Sequence, residues 1–443
     1  MFETLKNVFR VKEMRRKLLY LIWMIFIIRI GCQIPVPGVD SDFFKQWFSS
    51  NAGDAFNFFD AFTGGSFESM SVFALNITPY ITSSIIIQLL TIAIPALEEM
   101  HRDGEEGRKK MTAITRYVTV GLALFESIAM TIGFSRGNIV KDMNFLKAVV
   151  VIASLTAGSA MLMWIGERIT EKGVGNGISI VLAVNIVSRI PSDMTTLYEN
   201  FIKGKTIAKG MLAGVIIFAI IMVVVVFVLI LNGAERRIPV QYSKKMVGRK
   251  MMGGQSTHMP IKVNMSGVLP VIFASSILSL PGTVQMFLSA DKYEGTFWEK
   301  FFKAFQGDSW WYAGMYFLLI IFFAYFYSTI QYNPIEMANN LRKNNGAIPG
   351  IRPGKPTSDY ILRVLSRLTL IGALMLSVIA LFPIVYSLIC DAAIKPLTEG
   401  GNDGGMTISL GGTSLIIMCG VALETVRQLE SQMMMRHYKG FLD

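Results

Sequence analysis

The chain has 443 residues, of which 52% are hydrophobic and 16% charged, and a formal net charge of +11; its mean hydropathy is +0.48. Soluble domains carry about 25% charged residues, and here the apolar residues fall into long blocks. That excludes an ordinary array of soluble domains and points to a multi-span membrane protein.

Hydropathy predicts ten spans, at about 18–34, 76–95, 117–134, 148–166, 178–190, 211–231, 266–288, 313–332, 368–390 and 410–426. The segment before Leu18 is basic, like the start of a signal peptide, but the apolar run after it lacks a small-residue cleavage pattern and reads as a retained first span. The stretch 64–90, GGSFESMSVFALNITPYITSSIIIQLL, reads as one span broken in two. Its first part, 66–75, carries Glu68 and small polar residues and is too short to cross, because a helix needs about 20 apolar residues for a ~30 Å hydrocarbon core. The second part, 77–95, is long and apolar, with Pro79 near its start. Non-helical backbone at membrane depth is tolerated only inside protein or beside water, so this stretch is expected to line an aqueous path.

Further along, EEMHRDGEEGRKK (98–110) reads as a solvated connector, and GVGNGIS (173–179) as a flexible cytoplasmic turn into a short fifth span. The latter is no P-loop, since no GxxxxGK[ST] is present. Two large loops, 235–264 and 333–360, combine basic residues with Gly and Pro turns, and the first has apolar residues able to pair as a hairpin. Their charge follows from membrane placement alone, or suits docking to a phosphate-rich or acidic partner. The tenth span opens on LGGTSL before a brief apolar core. Cys32, Cys390 and Cys419 fit no zinc or disulfide spacing, and His101, His258 and His437 show no paired motif.

Of the 42 Lys and Arg residues, 29 fall on the side of the amino terminus and 12 opposite, with Arg29 inside the first span. This bias places both termini in the cytoplasm. Ten spans divide into two sets of five that enter in opposite orientations, which permits an inverted repeat; Pro-broken or short spans at matching places, the second and seventh and the fifth and tenth, then surround the path. The in-span ionisable residues Arg29, Glu126 and Glu424 form no relay. The four lining spans instead offer Ile77, Ile81, Ile178, Leu182, Ile272 and Ile417, which suit either an apolar constriction that gates by dewetting or plain helix and lipid contact. Thr82, Ser83, Ser84, Gln88, Ser275, Ser276 and Ser279 accompany them and allow close helix approach. A secondary transporter also uses broken helices and inverted repeats; an intramembrane enzyme would need a catalytic pair that the spacing does not offer.

Four stretches, SVFALNITPYITSSIIIQLL (71–90), MWIGERITEKGVGNGISI (163–180), GQSTHMPIKVNMSGVLPVIFASSI (254–277) and NNLRKNNGAIPGIRPGKPT (339–357), resemble the SecY family, the central subunit of the bacterial Sec protein-conducting channel. The resemblance covers nearly the whole chain. It implies an all-α polytopic membrane protein whose ten transmembrane helices form two inverted five-helix halves, a clamshell around an hourglass pore. The halves would be 1–190 and 211–427, joined by an external hinge loop, 191–210, and followed by a cytoplasmic tail, 428–443; cytoplasmic loops lie at 232–265 and 333–360.

It further implies a plug helix made of Gly65, Ser66, Phe67, Glu68, Ser69, Met70, Ser71, Val72 and Phe73. The pore ring falls on Ile77, Ile81, Ile178, Leu182, Ile272 and Ile417, and a lateral gate on Thr82 and Gln88 against Ser276 and Leu280. Arg249, Lys250 and Arg352 match positions that dock a motor or ribosome. The implied protein is not an enzyme, has no cofactor, and sits multi-pass in the bacterial inner membrane. Its implied partners are SecE-like and SecG-like small membrane subunits, a SecA-like motor ATPase, the ribosome, signal sequences on unfolded preproteins, and membrane lipid. Two positions depart from the family: Asn76 stands where glycine is common, and Leu182 where isoleucine is frequent.

Overall fold

The computed structural model describes residues 11–41, 43–45, 60, 63–136, 144–201, 207–242, 245–247, 250–252, 256–287, 297–305, 309–394 and 412–439. In chain order the elements are helices α1 (Lys12–Gly31), α2 (Thr78–Ala93), α3 (Pro95–Arg102), α4 (Gly104–Arg136), α5 (Phe145–Lys172), α6 (Gly177–Phe201) and α7 (Ile207–Gly233). Strands β1 (Glu235–Tyr242), β2 (Lys245–Val247), β3 (Lys250–Met252) and β4 (Ser256–Lys262) follow. Helices α8 (Leu269–Phe287), α9 (Phe297–Ala304), α10 (Trp310–Gln331) and α11 (Pro334–Lys343), strand β5 (Gly346–Ala347), and helices α12 (Lys355–Ile394) and α13 (Gly412–Lys439) complete the chain. Every predicted span has a helix on it. Among the described residues, four helical stretches are long and apolar enough to cross a membrane: Gly104–Gly133, Phe145–Lys172, Trp310–Lys343 and Lys355–Val385.

Prolines set several boundaries. Pro79 lies in the first turn of α2, where its missing N–H removes no helical bond. Pro95 forces Ile94 into extended backbone (φ −114°, ψ 112°), which ends α2 and starts α3. Asn333 caps α11 by accepting from the backbone N–H groups of Ile335 (3.1 Å) and Glu336 (3.3 Å). At Pro191 the helix does not stop. One missing donor inside an already propagating helix does not break it, and α6 runs on to Phe201, so the first part of the expected 191–210 hinge loop is helical. The apolar part of α6 does end early, at Ser192. Likewise α13 carries the expected tail as helix to Lys439.

Outward faces are apolar. Leu19, Ile22, Trp23 and Phe26 on α1, Val215, Phe218, Val223 and Ile230 on α7, and Leu318 and Phe322 on α10 are each more than half exposed. Helices that are apolar on all sides belong in lipid. Helices α1, α2, α4, α5 and α6 form one group, and α7, α8, α10, α12 and α13 another; they meet where α8 lies on α2 and α4 and where α6 lies on α13 and α7.

Outside the bundle, β1 pairs antiparallel with β4, Glu235 opposite Lys262 and Gln241 opposite Ser256, as the hairpin pattern predicts. The same strand also pairs with β5, Gln241 opposite Ala347. The loops 235–264 and 333–360 therefore share a three-stranded sheet, over a cluster that includes Ile238, Val240, Ile261, Leu341, Ile348 and Ile361.

The broken span before α2 is a succession of turns over 64–76 rather than a plug helix. Its Ser71 bridges Pro35, with the Val36 N–H donating to the Met70 carbonyl and the Val72 N–H to the Ile34 carbonyl, both at 2.9 Å. Two small residues let it lie close: Phe73 fills the space beside Gly31 on α1, and the Val72 carbonyl sits on Gly158 of α5, where a Cβ would collide with it. Gly158→Ala is expected to lower stability by about 1–3 kcal/mol through overpacking, read as an earlier unfolding transition in detergent; an unchanged transition would mean that the segment does not rest on Gly158.

Candidate functional site

Five of the six expected ring residues are buried: Ile77 and Ile417 are 0% exposed, Leu182 3%, Ile272 7% and Ile81 9%. All five belong to one apolar cluster, and the half-buried Ile178 packs against it. They come from the start of α2, from α6, from α8 and from α13. Ile77 and Ile178 meet over Gly166 of α5, where an added Cβ would lie 3.5 Å from one and 3.2 Å from the other. Sequence reasoning passed over Gly166, whose signal was a small residue in the apolar run of α5.

The glycine cluster before α6 is not the flexible turn expected of it. Gly173, Val174, Gly175 and Gly177 are buried. The Gly177 N–H donates to the Thr170 hydroxyl at 2.9 Å, and Asn176 caps α6 by accepting from the Ile178 N–H at 3.1 Å. A Cβ on Gly175 would meet Ile180 at 2.9 Å and Thr425 at 3.1 Å. Close approach, not mobility, calls for glycine here.

Next to Ile178 opens a cavity of about 700 Å³, lined also by Tyr80, Arg116, Glu167, Asn176, Glu424 and Arg427. Arg116 makes a two-point pair with Glu167, at 2.9 Å and 2.8 Å, that joins α4 to α5 at its edge. Glu424 of the expected tenth span thus faces this polar hollow.

Of the expected gate residues, Thr82, Gln88 and Ser276 are half-buried and Leu280 is 44% exposed. Gln88 turns to Ser84 on its own helix (3.4 Å), and the Ser276 hydroxyl donates to the Ile272 carbonyl on its own (2.9 Å). Among the described residues no hydrogen bond links these four to one another across the α2–α8 seam. The neighbouring α2–α4 contact differs: the Ser83 and Thr119 hydroxyls are buried 2.5 Å apart, and Thr119 also donates to the Thr115 carbonyl at 2.7 Å. This bond braces α2 on α4.

Asn76, where the broken segment joins α2, has φ +51°, a left-handed conformation that asparagine tolerates better than most residues. Its buried side-chain oxygen accepts from the Asn185 amide on α6 at 3.1 Å. Before the segment, the fully buried Asp60 forms an ion pair with Arg189 of the same helix. Neither α6 residue was a candidate from sequence, because polar residues inside an apolar helix reveal no partner by spacing.

The expected docking residues are placed unevenly. Arg249 lies outside the described residues. Lys250 opens β3, paired with Val247 of β2. Arg352 is exposed in the turn before α12, and its carbonyl accepts from the Thr357 hydroxyl at 2.8 Å. Beside it a hollow of about 330 Å³ is lined by Asp359, Tyr360 and Arg363.

The family model described as SecY matches residues 71–426. The "Protein translocase subunit SecY" of Mycobacterium bovis is 40% identical over 449 residues, covering 98% of each chain. Among solved structures, one described as "The structure of a protein conducting channel" is similar with a TM-score of 0.60 at 16% identity, covering 94% of this chain and 92% of that one. Another, "Sec61 in the Canine ribosome-channel complex from the endoplasmic reticulum", has a TM-score of 0.56 at 15% identity, with 94% and 92% covered. The fold is thus that of protein-conducting channels.

Replacing Ser83 with Ala is expected to lower stability by about 0.5–1.5 kcal/mol, and Thr119→Val similarly. The double variant should cost less than the sum of the two in detergent unfolding; strict additivity would show that the two hydroxyls do not couple α2 to α4.

Proposed function

The chain belongs to the SecY family of protein translocase subunits, and from that premise we propose that it is a passive protein-conducting channel of a bacterial inner membrane. Both termini lie in the cytoplasm, and two inverted five-helix halves close as a clamshell. A signal sequence with a ~7–15-residue apolar core enters from the cytoplasm and intercalates at the α2–α8 seam. The segment built of residues 65–73 moves aside, and the ring of Ile77, Ile81, Ile178, Leu182, Ile272 and Ile417 closes loosely around the passing chain. Apolar segments of about 20 residues leave sideways, because they are more stable in lipid than in a watery pore.

The observation that carries this reading is that five of those six aliphatic residues, from four separate helices, are buried in the main apolar cluster, while the sixth, Ile178, packs against it and also lines the polar cavity. The seam supports lateral release: it lacks cross-helix hydrogen bonds between the gate residues, so opening it breaks no polar contact among them.

Energy comes from partners. The exposed Arg352, together with Lys250 on β3 and its sequence neighbour Arg249, suits docking to a SecA-like motor ATPase or a translating ribosome, and the likeness to a ribosome-bound channel supports the latter. A small membrane subunit braces the two halves and another completes the complex, the two being SecE-like and SecG-like.

Reconstituted in vesicles with these subunits, the protein should render signal-bearing preproteins protease-protected only when the motor ATPase and ATP are added; solute exchange without protection would instead indicate a secondary transporter. Arg352→Glu should leave a folded protein that no longer supports motor-driven translocation, and normal secretion in that variant would remove Arg352 from docking. Changing Ile77, Ile81 and Ile272 together to Gly should raise the resting ion conductance of planar bilayers, whereas an unchanged conductance would return them to ordinary helix contact.

A further inference from the structure

Two polar contacts fasten the broken segment to α6, one at each end. Ahead of it, the carboxylate of Asp60 pairs with the Arg189 guanidinium and accepts the Glu68 N–H at 2.9 Å and the Thr63 hydroxyl at 3.2 Å. The Asp60 carbonyl also receives the Gly65 N–H at 3.3 Å. Behind it, Asn185 donates to Asn76. Asn185 and Arg189 are four residues apart and so share one face of the helix. Between the two contacts, Gly64 (φ +68°) lies so close to that face that a Cβ would sit 2.7 Å from the Asn185 carbonyl oxygen and 2.9 Å from the Ser188 hydroxyl. That face of α6 also leads to Leu182, one turn before Asn185 towards the ring.

From this arrangement we infer that Asn185 and Arg189 form a two-point latch that holds the segment of residues 60–76 in its closing position. The inference rests on reading residues 65–73 as the movable closure. Its physics makes release depend on water. In dry surroundings, separating Asp60 from Arg189 would leave the fully buried carboxylate without its cation. Once the path fills, both groups hydrate and their attraction falls with the rising dielectric constant. A passing polypeptide that opens the ring to water therefore loosens the latch, and expulsion of water restores it.

The test is resting conductance of the complete complex in planar bilayers, alongside translocation of a signal-bearing preprotein. Asp60→Asn and Arg189→Gln should each raise the open fraction at rest by about tenfold, as expected for loss of a charge-assisted bond. Their combination should add little beyond the larger single effect, and translocation should persist. Asn185→Ala and Gly64→Ala, which disturb the same face without touching the ion pair, should leak as well. Deletion of residues 65–73 is the reference. If the deletion leaks and the substitutions do not, the latch is wrong while the closure stands; if the deletion does not leak either, the closure reading fails first. Loss of translocation together with loss of folded complex in the substituted proteins would assign these contacts to folding and overturn the latch.

Discussion

An irregular backbone inside an apolar bundle must find every hydrogen bond within the protein, because lipid offers none. Residues 64–76 live under that rule, and much of the surrounding architecture answers it. The Pro35–Ser71 bridge supplies two backbone bonds. Asp60 collects N–H and O–H donors from Glu68 and Thr63. Gly31 and Gly158 remove side chains where the segment presses on α1 and α5. The same rule explains the left-handed Asn76: a turn is needed there to bring Ile77 into the apolar cluster, and the residue that makes it carries a polar side chain that must then be matched by Asn185.

The helices on the ten predicted spans were legible in the sequence because each carries an apolar run, long in four of them and shorter in others such as α2 and α6, and the break in the second was legible because Glu68 and its small polar neighbours interrupt that run. The hairpin of β1 and β4 was readable from the apolar residues of the loop 235–264. What sequence concealed depends on distance in space. The β1–β5 pairing joins residues about a hundred positions apart, and no periodicity signals it. Gly166 and Gly177 read as helical glycine and flexible turn, yet each is needed where α5 and α6 cross. Asn185 and Arg189 offered only polarity in an apolar helix, and that cannot name a partner. The apolar run of α6 ends near residue 190 as hydropathy indicates, whereas the helix itself continues through Pro191 to Phe201 in polar sequence that hydropathy does not register.

Side-chain chemistry distinguishes the contacts that α2 makes. Helix α2 is tied to α4 by paired hydroxyls, and α4 to α5 by Arg116 and Glu167. On the facing side of α2, among the described residues, no hydrogen bond joins Thr82 or Gln88 to Ser276 or Leu280 of α8. Exposed ion pairs are worth little, about 0–1 kcal/mol, but the buried hydroxyl pair adds direction to the first contact.

The sheet shared by the loops 235–264 and 333–360 has a mechanical consequence. β1 follows α7 after a single residue, β4 leads into α8, and β5 lies between α11 and α12. Because these strands are hydrogen-bonded to one another, the sheet acts as a yoke across three long helices: a load on any one of its strands is shared among α7, α8 and α12. Since α8 also packs on α2, that yoke ends at the α2–α8 contact.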